Sequence, residues 1–455
     1  MTACAIEPGT APGDGAPRAG CCTITVDGSY AARLAPDGDS WFPERWTLDG
    51  PEPYAVPLPG SRPEQPGSEV QPMGDGRVLI RRAAEGRHVF ALLYPTGPGT
   101  GELPLGTVEC PEPGSRLRLL PPAPGGERAY ALVVGRRSST VWRVVGGAFG
   151  PEPVAEVPGR CSGGVWLERS GRMLALDRET GGRTKTVVAD LERGGEISPL
   201  LQIAADSDDR LLLADLDSGL LLISSDAPSP GQERLGWGVL GSTLPVRFPE
   251  SLRLPGCAVT PFAIQPGQVL TPESCAVALR IDGPAGGWVG VWRPEGRRIH
   301  HLPAPEGWLA GAGLYTPDGV LLLPYATGEV PCGVARVPAP VRQPESDVTA
   351  VRAAWERVTP APEGAKPARE DANPVWEGAS PASEGANPAS PDGSPPPDGA
   401  SPPGGSPPRD DDPEPAAPRP VPLQQAPLGG LVTKSSRSAG RLDPALGGLD
   451  RLAGL

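Results

Sequence analysis

The chain has 455 residues and a formal net charge of −13. Residues 341–455 hold 11 basic and 16 acidic residues, a net charge of −5, which leaves −8 for the first 340. Neither part shows the clustered positive charge that nucleic acid or an anionic membrane surface requires, so we expect no nucleic-acid partner. No run of about 18 apolar residues is present, so we also expect no membrane partner.

The cysteines suggest neither a metal site nor a disulfide framework. They are scattered, without a C-x-x-C pair, at Cys4, Cys21, Cys22, Cys110, Cys161, Cys257, Cys275 and Cys332. The chain begins MTACAIEPGTAPGDGAP, which lacks the basic segment and apolar core of a secretory signal. We therefore expect reduced thiols in a cytoplasmic protein, with no metal and no cofactor.

In chain order, residues 1–21 form a polar arm rich in glycine and proline, which we expect to be disordered. A first strand with alternating polarity covers residues 22–26 and ends at the turn Asp27-Gly28. From Leu34 onward a two-part motif repeats: a Gly- or Asp-containing turn leads into an aliphatic strand, and a second strand follows, usually about 15 residues later. These paired runs are typical of short antiparallel strands covered on both faces.

Seven copies of this motif can be aligned, and the first and sixth are irregular. Their aliphatic strands lie at residues 34–48, 77–94, 129–146, 172–191, 211–223, 276–292 and 320–337. Six steps separate Gly38 from Gly319, which gives a mean period of about 47 residues. Units built only of strands at this period predict an all-β fold, a β-propeller of about seven four-stranded blades, with six or eight as alternatives. The strand at 22–26 is a candidate to pair into the last blade and close the ring.

The turns of this motif carry a resemblance to a known family. Ala35-Pro36-Asp37-Gly38 and Thr316-Pro317-Asp318-Gly319 resemble the Ser-Pro-Asp-Gly turn of TolB-like propeller repeats. The same repeats occur in the propeller that precedes the hydrolase domain of the prolyl oligopeptidase family. The resemblance implies a propeller over residues 22–340 that binds partners across its ring faces. It carries over no catalytic residue, and the hydrolase domain is missing.

After Pro340 the composition changes. Residues 341–455 contain near-repeats such as Glu363-Gly364-Ala365-Lys366-Pro367 and Glu377-Gly378-Ala379-Ser380-Pro381, with few residues that could form a core. Folding would then not offset the loss of chain entropy, so we expect a disordered, low-complexity, proline-rich tail.

No motif in the chain predicts a catalytic centre. A G-x-S-x-G nucleophile elbow is absent, and the nearest string, 159–164, leads into a strand and is interpreted as the turn that begins a blade. Among the histidines, His300 and His301 are adjacent and should point to opposite faces of a strand, one into the channel and one between sheets. His88 should lie in a hairpin turn or at the start of a strand.

The remaining polar and aromatic clusters also have structural interpretations. The carboxylates Asp206, Asp208, Asp209, Asp215 and Asp217 fail the calcium-loop pattern and are expected to bond turn backbones. We expect the tryptophans Trp142, Trp166, Trp288 and Trp292 to fill space between sheets. The pairs Gly146-Gly147 and Gly194-Gly195 precede no helix that could receive a phosphate.

The sequence thus predicts a non-catalytic propeller that recognises a protein partner or a small ligand, with its tail as a tether, and no catalytic, cofactor or metal residue. The alternative is an enzyme. It would be either a propeller with a site in its channel or the propeller part of a prolyl-oligopeptidase-like system whose hydrolase is encoded separately. A third hypothesis is a vestigial chain that no longer folds as a stable monomer.

Overall fold

A computed structural model describes residues 22–340 of the chain, apart from residues 66, 98, 111 and 113. This region is built of β-strands, and two single turns of 3-10 helix, Glu250–Leu252 and Pro272–Ser274, lie among them. The strands, in chain order, are β1 (Cys22–Ile24), β2 (Tyr30–Asp37), β3 (Ser40–Thr47), β4 (Tyr54–Pro57), β5 (Glu69–Pro72), β6 (Val78–Ala84), β7 (Arg87–Pro95), β8 (Thr100–Glu109), β9 (Arg116–Leu119), β10 (Ala129–Val134), β11 (Ser138–Val145), β12 (Glu152–Pro158), β13 (Arg160–Trp166), β14 (Met173–Thr180), β15 (Arg183–Asp190), β16 (Glu196–Leu201), β17 (Asp209–Ala214), β18 (Leu220–Ser225), β19 (Arg234–Val239), β20 (Ala258–Ile264), β21 (Val277–Gly283), β22 (Gly286–Trp292), β23 (His300–Leu302), β24 (Leu314–Tyr315), β25 (Val320–Tyr325) and β26 (Gly333–Pro338).

The strands form seven separate antiparallel sheets, each a simple meander of consecutive strands. Blades one to four hold β1–β4, β5–β8, β9–β12 and β13–β16, blade five holds β17–β19, blade six β20–β23, and blade seven β24–β26. The predicted all-β propeller of seven blades is therefore confirmed. Blades five and seven have three strands within the described residues, and the other five have four.

Each blade buries one face against the blade before it and the other against the blade after it. In β18, for example, Leu221 and Ile223 pack towards blade four, whereas Leu220 and Leu222 pack towards blade six. This alternation follows from the two-residue period of a strand. Six apolar clusters of this kind fill the six interfaces between consecutive blades, from blades one and two to blades six and seven. Burial of both sheet faces is what a single blade cannot achieve alone.

The seventh interface, where blade seven meets blade one, carries no such apolar cluster among the described residues. A buried ion pair lies there, with Arg33 Nε donating to Glu44 Oε2 over 2.7 Å while each side chain is about nine-tenths buried. The fully buried Trp46 donates its indole N–H to the same oxygen, and the Arg33 guanidinium lies 4.9 Å from the Trp46 ring centre. From blade seven, the Pro331 carbonyl accepts from Arg33 at 3.5 Å.

The closure expected from the sequence is wrong in its pairing. β1 pairs with β2 inside blade one, in the register Cys22↔Arg33, and does not enter blade seven. The physical reason lies in the short turn at Asp27-Gly28, which brings β2 directly back along β1. The ring therefore closes through side chains and not through a shared sheet.

Two expectations about the ends of the chain lie outside the described residues: the polar arm at 1–21 and the disordered tail at 341–455. Within residues 22–340, we find no helix with the length and apolar character needed to cross a bilayer.

The closing ion pair can be tested by unfolding. Arg33→Met leaves Glu44 charged and buried without its cation, so we expect a loss of about 3–5 kcal/mol in the free energy of unfolding in urea. Glu44→Gln should give a similar loss, and the double variant should lose less than the sum of the two. The control is Arg77→Met, whose partner Asp75 is half exposed, with an expected loss of about 0–1 kcal/mol. Equal, small losses in all variants would contradict a closing role for the pair.

Candidate functional site

The first strand of each blade lies on the inside of the ring and lines a central channel. These strands contact one another in succession, β1 with β5, β5 with β9, β13 with β17, β17 with β20 and β20 with β24. Because each blade is a meander that begins at the channel, all seven inner strands run in the same direction. We call the end where they begin the proximal mouth (at Arg160, Arg210 and Ala258), and the end where they finish the distal mouth (at Trp166 and Ile264).

A cavity of about 960 Å³ opens at the proximal mouth between blades four, five and six. Its apolar wall is formed by Val134, Leu212, Leu235, Leu252, Leu254 and Val259. Its charged groups are the arginines Arg160, Arg210, Arg234 and Arg253 with the glutamates Glu179 and Glu233. Four arginines and two glutamates line this wall, and Arg234 pairs with Glu250 beside it, so the local charge is +1 in a chain whose net charge is −13. The proximal cavity is therefore a positive site on an acidic protein.

A β-bulge shapes the channel wall at this cavity. The register of β13 against β14 shifts between Ser162 and Val165, and the intervening Gly163 and Gly164 have φ angles of 72° and 126°. A Cβ atom on Gly163 would lie 2.7 Å from Asp177 Oδ2, so only glycine fits. Bulges often re-aim side chains beside functional sites.

Two arginines from neighbouring blades converge on this bulge. Arg118 of β9 donates to the Gly163 carbonyl, and Arg210 of β17 donates to the Ser162 hydroxyl over 3.2 Å. Arg210 also donates to the Thr184 hydroxyl over 3.3 Å. The partners of Arg210 are thus neutral oxygens, and the described residues give it no ion pair with a carboxylate.

The carboxyl group nearest to these arginines serves the fold. Asp177 is 5% exposed, and its Oδ1 accepts from the Thr186 hydroxyl over 2.7 Å and from the Leu211 N–H over 3.0 Å. Burial raises the pKa of Asp177 to about 6, although these hydrogen bonds and the charges of Arg210 and Arg118 oppose the rise. The bond to Leu211 joins blade four to blade five.

The seam between blades four and five also holds a second, fully satisfied carboxylate. Asp209 has no exposed surface, and its oxygens accept from Lys185 Nζ over 2.7 Å and from the Ser207 and Ser225 hydroxyls over 2.8 and 2.6 Å. A carboxylate with this many donors is held in place as part of the fold. Of the carboxylates singled out in the sequence, Asp206, Asp208 and Asp209 lie near the proximal mouth and Asp215 and Asp217 near the distal one. Among the described residues, no group of three or more His, Cys, Asp or Glu side chains is placed to hold a metal ion.

The distal mouth holds a different cavity, of about 900 Å³. Its wall includes prolines and aromatic rings, among them Pro121, Trp166 and Phe262. At its rim Arg169 and Asp217 form a two-bond ion pair at 2.6 and 2.7 Å, and this hydrogen bonding holds the pKa of Asp217 below its usual value. The same wall also holds Asp27, Asp49, Asp215 and Arg336, so four aspartates and two arginines give it a local charge of −2, in contrast with the proximal mouth.

The histidines do not reach the channel. His300 and His301 are exposed on β23, the last strand of blade six, so the expectation that one lines the channel is wrong. His301 Nδ1 accepts from the Trp288 indole over 2.8 Å. His88 is the second residue of β7, where its ring contacts the Arg81 guanidinium. Burial lowers the pKa of His88 to about 4, and the positive charge of Arg81 is a smaller cause in the same direction.

The tryptophans pack in or beside the seams between blades. Trp166 stacks on Tyr130 at 5.2 Å between blades three and four, and Trp292 is fully buried between blades five and six. Trp142 and Trp288 are partly buried against the apolar clusters of their seams. Trp166 also lines the distal cavity, so one of the four takes part in both packing and the channel wall.

The arginines of the proximal mouth were missed in the sequence. The overall acidic charge predicts no positive site, and the string 159–164 predicts a turn that begins a blade without indicating which side chains reach the channel. A usable signal was present in Gly159-Arg160 and Asp209-Arg210, where arginine follows the turn that begins a blade. An arginine placed at the start of an inner strand lies at the channel mouth.

Comparisons with known proteins agree with the fold. Neither a protein-family model nor a curated protein matches the chain. Similar solved structures include TolB from Acinetobacter baumannii (11% identity, 65% of this chain, 74% of that chain, TM-score 0.36). Another is an oligogalacturonate lyase from Vibrio parahaemolyticus (10% identity, 70% of this chain, 88% of that chain, TM-score 0.46). A third is a prolyl endopeptidase (14% identity, 71% of this chain, 48% of that chain, TM-score 0.42).

The resemblance to TolB-like and prolyl oligopeptidase propellers is confirmed as far as the propeller fold, which the sheet pairing of this chain shows. The chain spans about half the length of the prolyl endopeptidase. At these identities the likeness concerns the fold alone, and the seven blades are established by the sheet pairing itself.

The burial of Asp177 predicts a pH dependence. Its pKa is about 6 in the folded state against 3.8 for the ordinary group, so its protonated form stabilises the fold and this contribution is lost as the pH rises from about 4 to 6. Relative to Asp177→Asn, which stays neutral, the wild-type chain should lose about 2–3 kcal/mol of stability across that window. The measurement is urea unfolding of both proteins between pH 4 and 7. His88 acts in the opposite direction there but contributes equally to both proteins, and parallel curves would contradict the prediction.

Proposed function

We propose that the chain is a non-catalytic recognition module whose ring binds a small ligand or a protein partner at the mouths of its channel. The observation that carries this proposal is the proximal cavity of about 960 Å³, which has an apolar wall and a few charged groups. Ligand sites typically have volumes of about 300–1,000 Å³ and combine these two features. The distal cavity offers a second surface of similar size.

A catalytic channel would bring several acid–base groups to one mouth. The described part of the chain brings arginines and two glutamates to the proximal mouth, while its histidines lie in blade two and on the outer strand of blade six. Four aspartates line the distal mouth, but three of them are engaged within the fold: Asp27 with Thr25 and Ser29, Asp215 with Ser218, and Asp217 with Arg169. This distribution supports recognition over catalysis. We also propose a cytoplasmic location, on the scattered spacing of the cysteines, which include no C-x-x-C pair.

One observation favours the second candidate function, an enzyme acting alone or beside a separate hydrolase. A carboxyl group with a pKa of about 6, such as Asp177, can serve as a general acid or base near neutral pH. Its burial and its two hydrogen bonds within the fold argue for a structural role. Turnover of a bound ligand, lost in Asp177→Asn, would support the enzyme and contradict the recognition module.

Binding in the channel can be tested with a blocking variant. Leu212 is half-buried and lines both cavities, so Leu212→Arg should obstruct the channel from within. We expect ligands found by thermal shift on the full-length protein to stabilise the wild type and to lose at least 10-fold in affinity for this variant. The control is Leu244→Arg at an exposed loop position outside both cavities. Ligands that stabilise all three proteins equally would place binding elsewhere.

Binding of a protein partner by the ring can be distinguished from binding by the tail. We propose that residues 341–455 act as a tether, so a chain ending at Pro340 should retain partners that bind the ring. The measurement is affinity capture with the full-length and shortened chains, each repeated with Leu212→Arg. Loss of every partner on shortening would contradict recognition by the ring.

A further inference from the structure

We propose that the proximal cavity binds an amphipathic organic anion, whose carboxylate or phosphate group is held by Arg160 and Arg210 and whose apolar body lies against Leu212, Leu252 and Leu254. This inference rests on the proposed function and names the ligand class for the same site. Arginine is suited to it, because its planar guanidinium presents paired donors to carboxylate and phosphate oxygens.

The first argument is that these guanidinium groups lack a carboxylate partner within the described residues. Arg210 donates to the hydroxyls of Ser162 and Thr184, and Asp177 uses its bonded oxygen for Thr186 and Leu211 instead. Eleven of the 28 arginines among the described residues pair with a carboxylate: Arg33, Arg77, Arg81, Arg82, Arg143, Arg169, Arg172, Arg183, Arg193, Arg234 and Arg280. Arg160 and Arg210 are not among these eleven, so neither guanidinium is held in an ion pair within the described fold.

The second argument is positional. Arg160 is exposed at the start of β13, opposite Glu179 on β14, with which it forms no ion pair. Arg210 is partly buried one residue into β17 of the next blade. Since β13 and β17 are neighbouring inner strands, both side chains belong to the wall of the same cavity. An anion at the mouth can therefore bridge blades four and five.

A third observation comes from a neighbouring cavity. A smaller cavity of about 380 Å³ adjoins it and shares Arg160 and Glu179. Its wall adds Arg136, Arg137 and Arg178, and the Arg178 Nε is buried without a hydrogen-bond partner in the described residues. A buried N–H group without an acceptor is costly, and a bound oxyanion would satisfy it. The positive surface thus continues from the channel onto the face of blades three and four.

The apolar wall decides between a simple ion and an amphipathic one. Leu212, Leu252 and Leu254 line the same cavity as the two arginines, and a bare inorganic anion would leave this wall unused. An eight-carbon chain would bury apolar surface against this wall, and each buried methylene group favours binding. The geometry therefore fits an anionic head group joined to an apolar body.

The test uses four probes with the full-length protein in isothermal titration calorimetry: octanoate, octyl phosphate, inorganic phosphate and the uncharged octyl glucoside. We expect at least one of the two octyl anions to bind at least 10-fold more tightly than both octyl glucoside and inorganic phosphate. The tighter of the two identifies the head group as carboxylate or phosphate. Equal affinity for octyl glucoside, or for inorganic phosphate, would overturn the proposal.

Two variants assign the arginines. Arg160→Met and Arg210→Met should each weaken the better octyl anion by about 10- to 100-fold, because a charge-assisted hydrogen bond is lost. Arg160 is exposed, so its variant should fold even if the other does not. The control is Arg298→Met, which removes one positive charge from an exposed position outside the two cavities and should change affinity less than about 2-fold. Equal losses in all three variants would indicate general charge attraction and would overturn the assigned site.

Failure of this inference can be told apart from failure of the proposed function. If uncharged ligands bind the wild type and lose affinity in Leu212→Arg, the recognition module stands and the anion proposal falls. If neither the octyl anions nor any other ligand responds to Leu212→Arg, both proposals fall.

Discussion

Closing the ring is the constraint on which the rest of this structure depends. Seven small sheets, each too thin to bury its own faces, bury them against one another. Six seams do so with apolar clusters, but the seventh joins the two ends of the propeller and has no shared strand to hold it. The buried pair of Arg33 and Glu44, with Trp46 bonded to the same carboxylate, occupies that seam. A polar contact is directional, and so it fixes the relative position of two blades that the chain itself does not connect.

The closed ring explains why the candidate site lies where it does. The two faces of each blade pack against the neighbouring blades, and the outer strands form the exposed edges of the ring. The inner strands are the part of each blade whose side chains are left to line a common space. At the proximal mouth that space receives Arg160 and Arg210, and the bulge at Ser162 brings polar backbone into the channel wall. At the distal mouth the wall holds four aspartates and two arginines, the Arg169–Asp217 pair among them, so its excess of charge is negative.

The sequence predicted the fold through the middle strands of the blades. Runs such as Leu220–Ile223 are continuous because both faces are buried, and they marked the repeat clearly. Many inner and outer strands, such as β9 and β23, are short and half exposed, so they carry no such signal. The pairing of β1 was mistaken because a short alternating strand fits either neighbour, and the pairing depends on a turn geometry that composition does not reveal. The location of His300 and His301 was mistaken because their short strand gives no signal of whether it is the inner or the outer strand of its blade. The arginine site was missed because Arg160 and Arg210 lie in two consecutive blades and meet only when the inner strands of those blades line one channel.

Native-state hydrogen exchange tests the closure most directly. If the polar seventh seam is where the ring opens, amides of blades one and seven should exchange together through a shared opening of lower free energy than the amides of blades three to five. Protection that is uniform around the ring, or opening that begins in blades three to five while blades one and seven stay protected, would contradict the account.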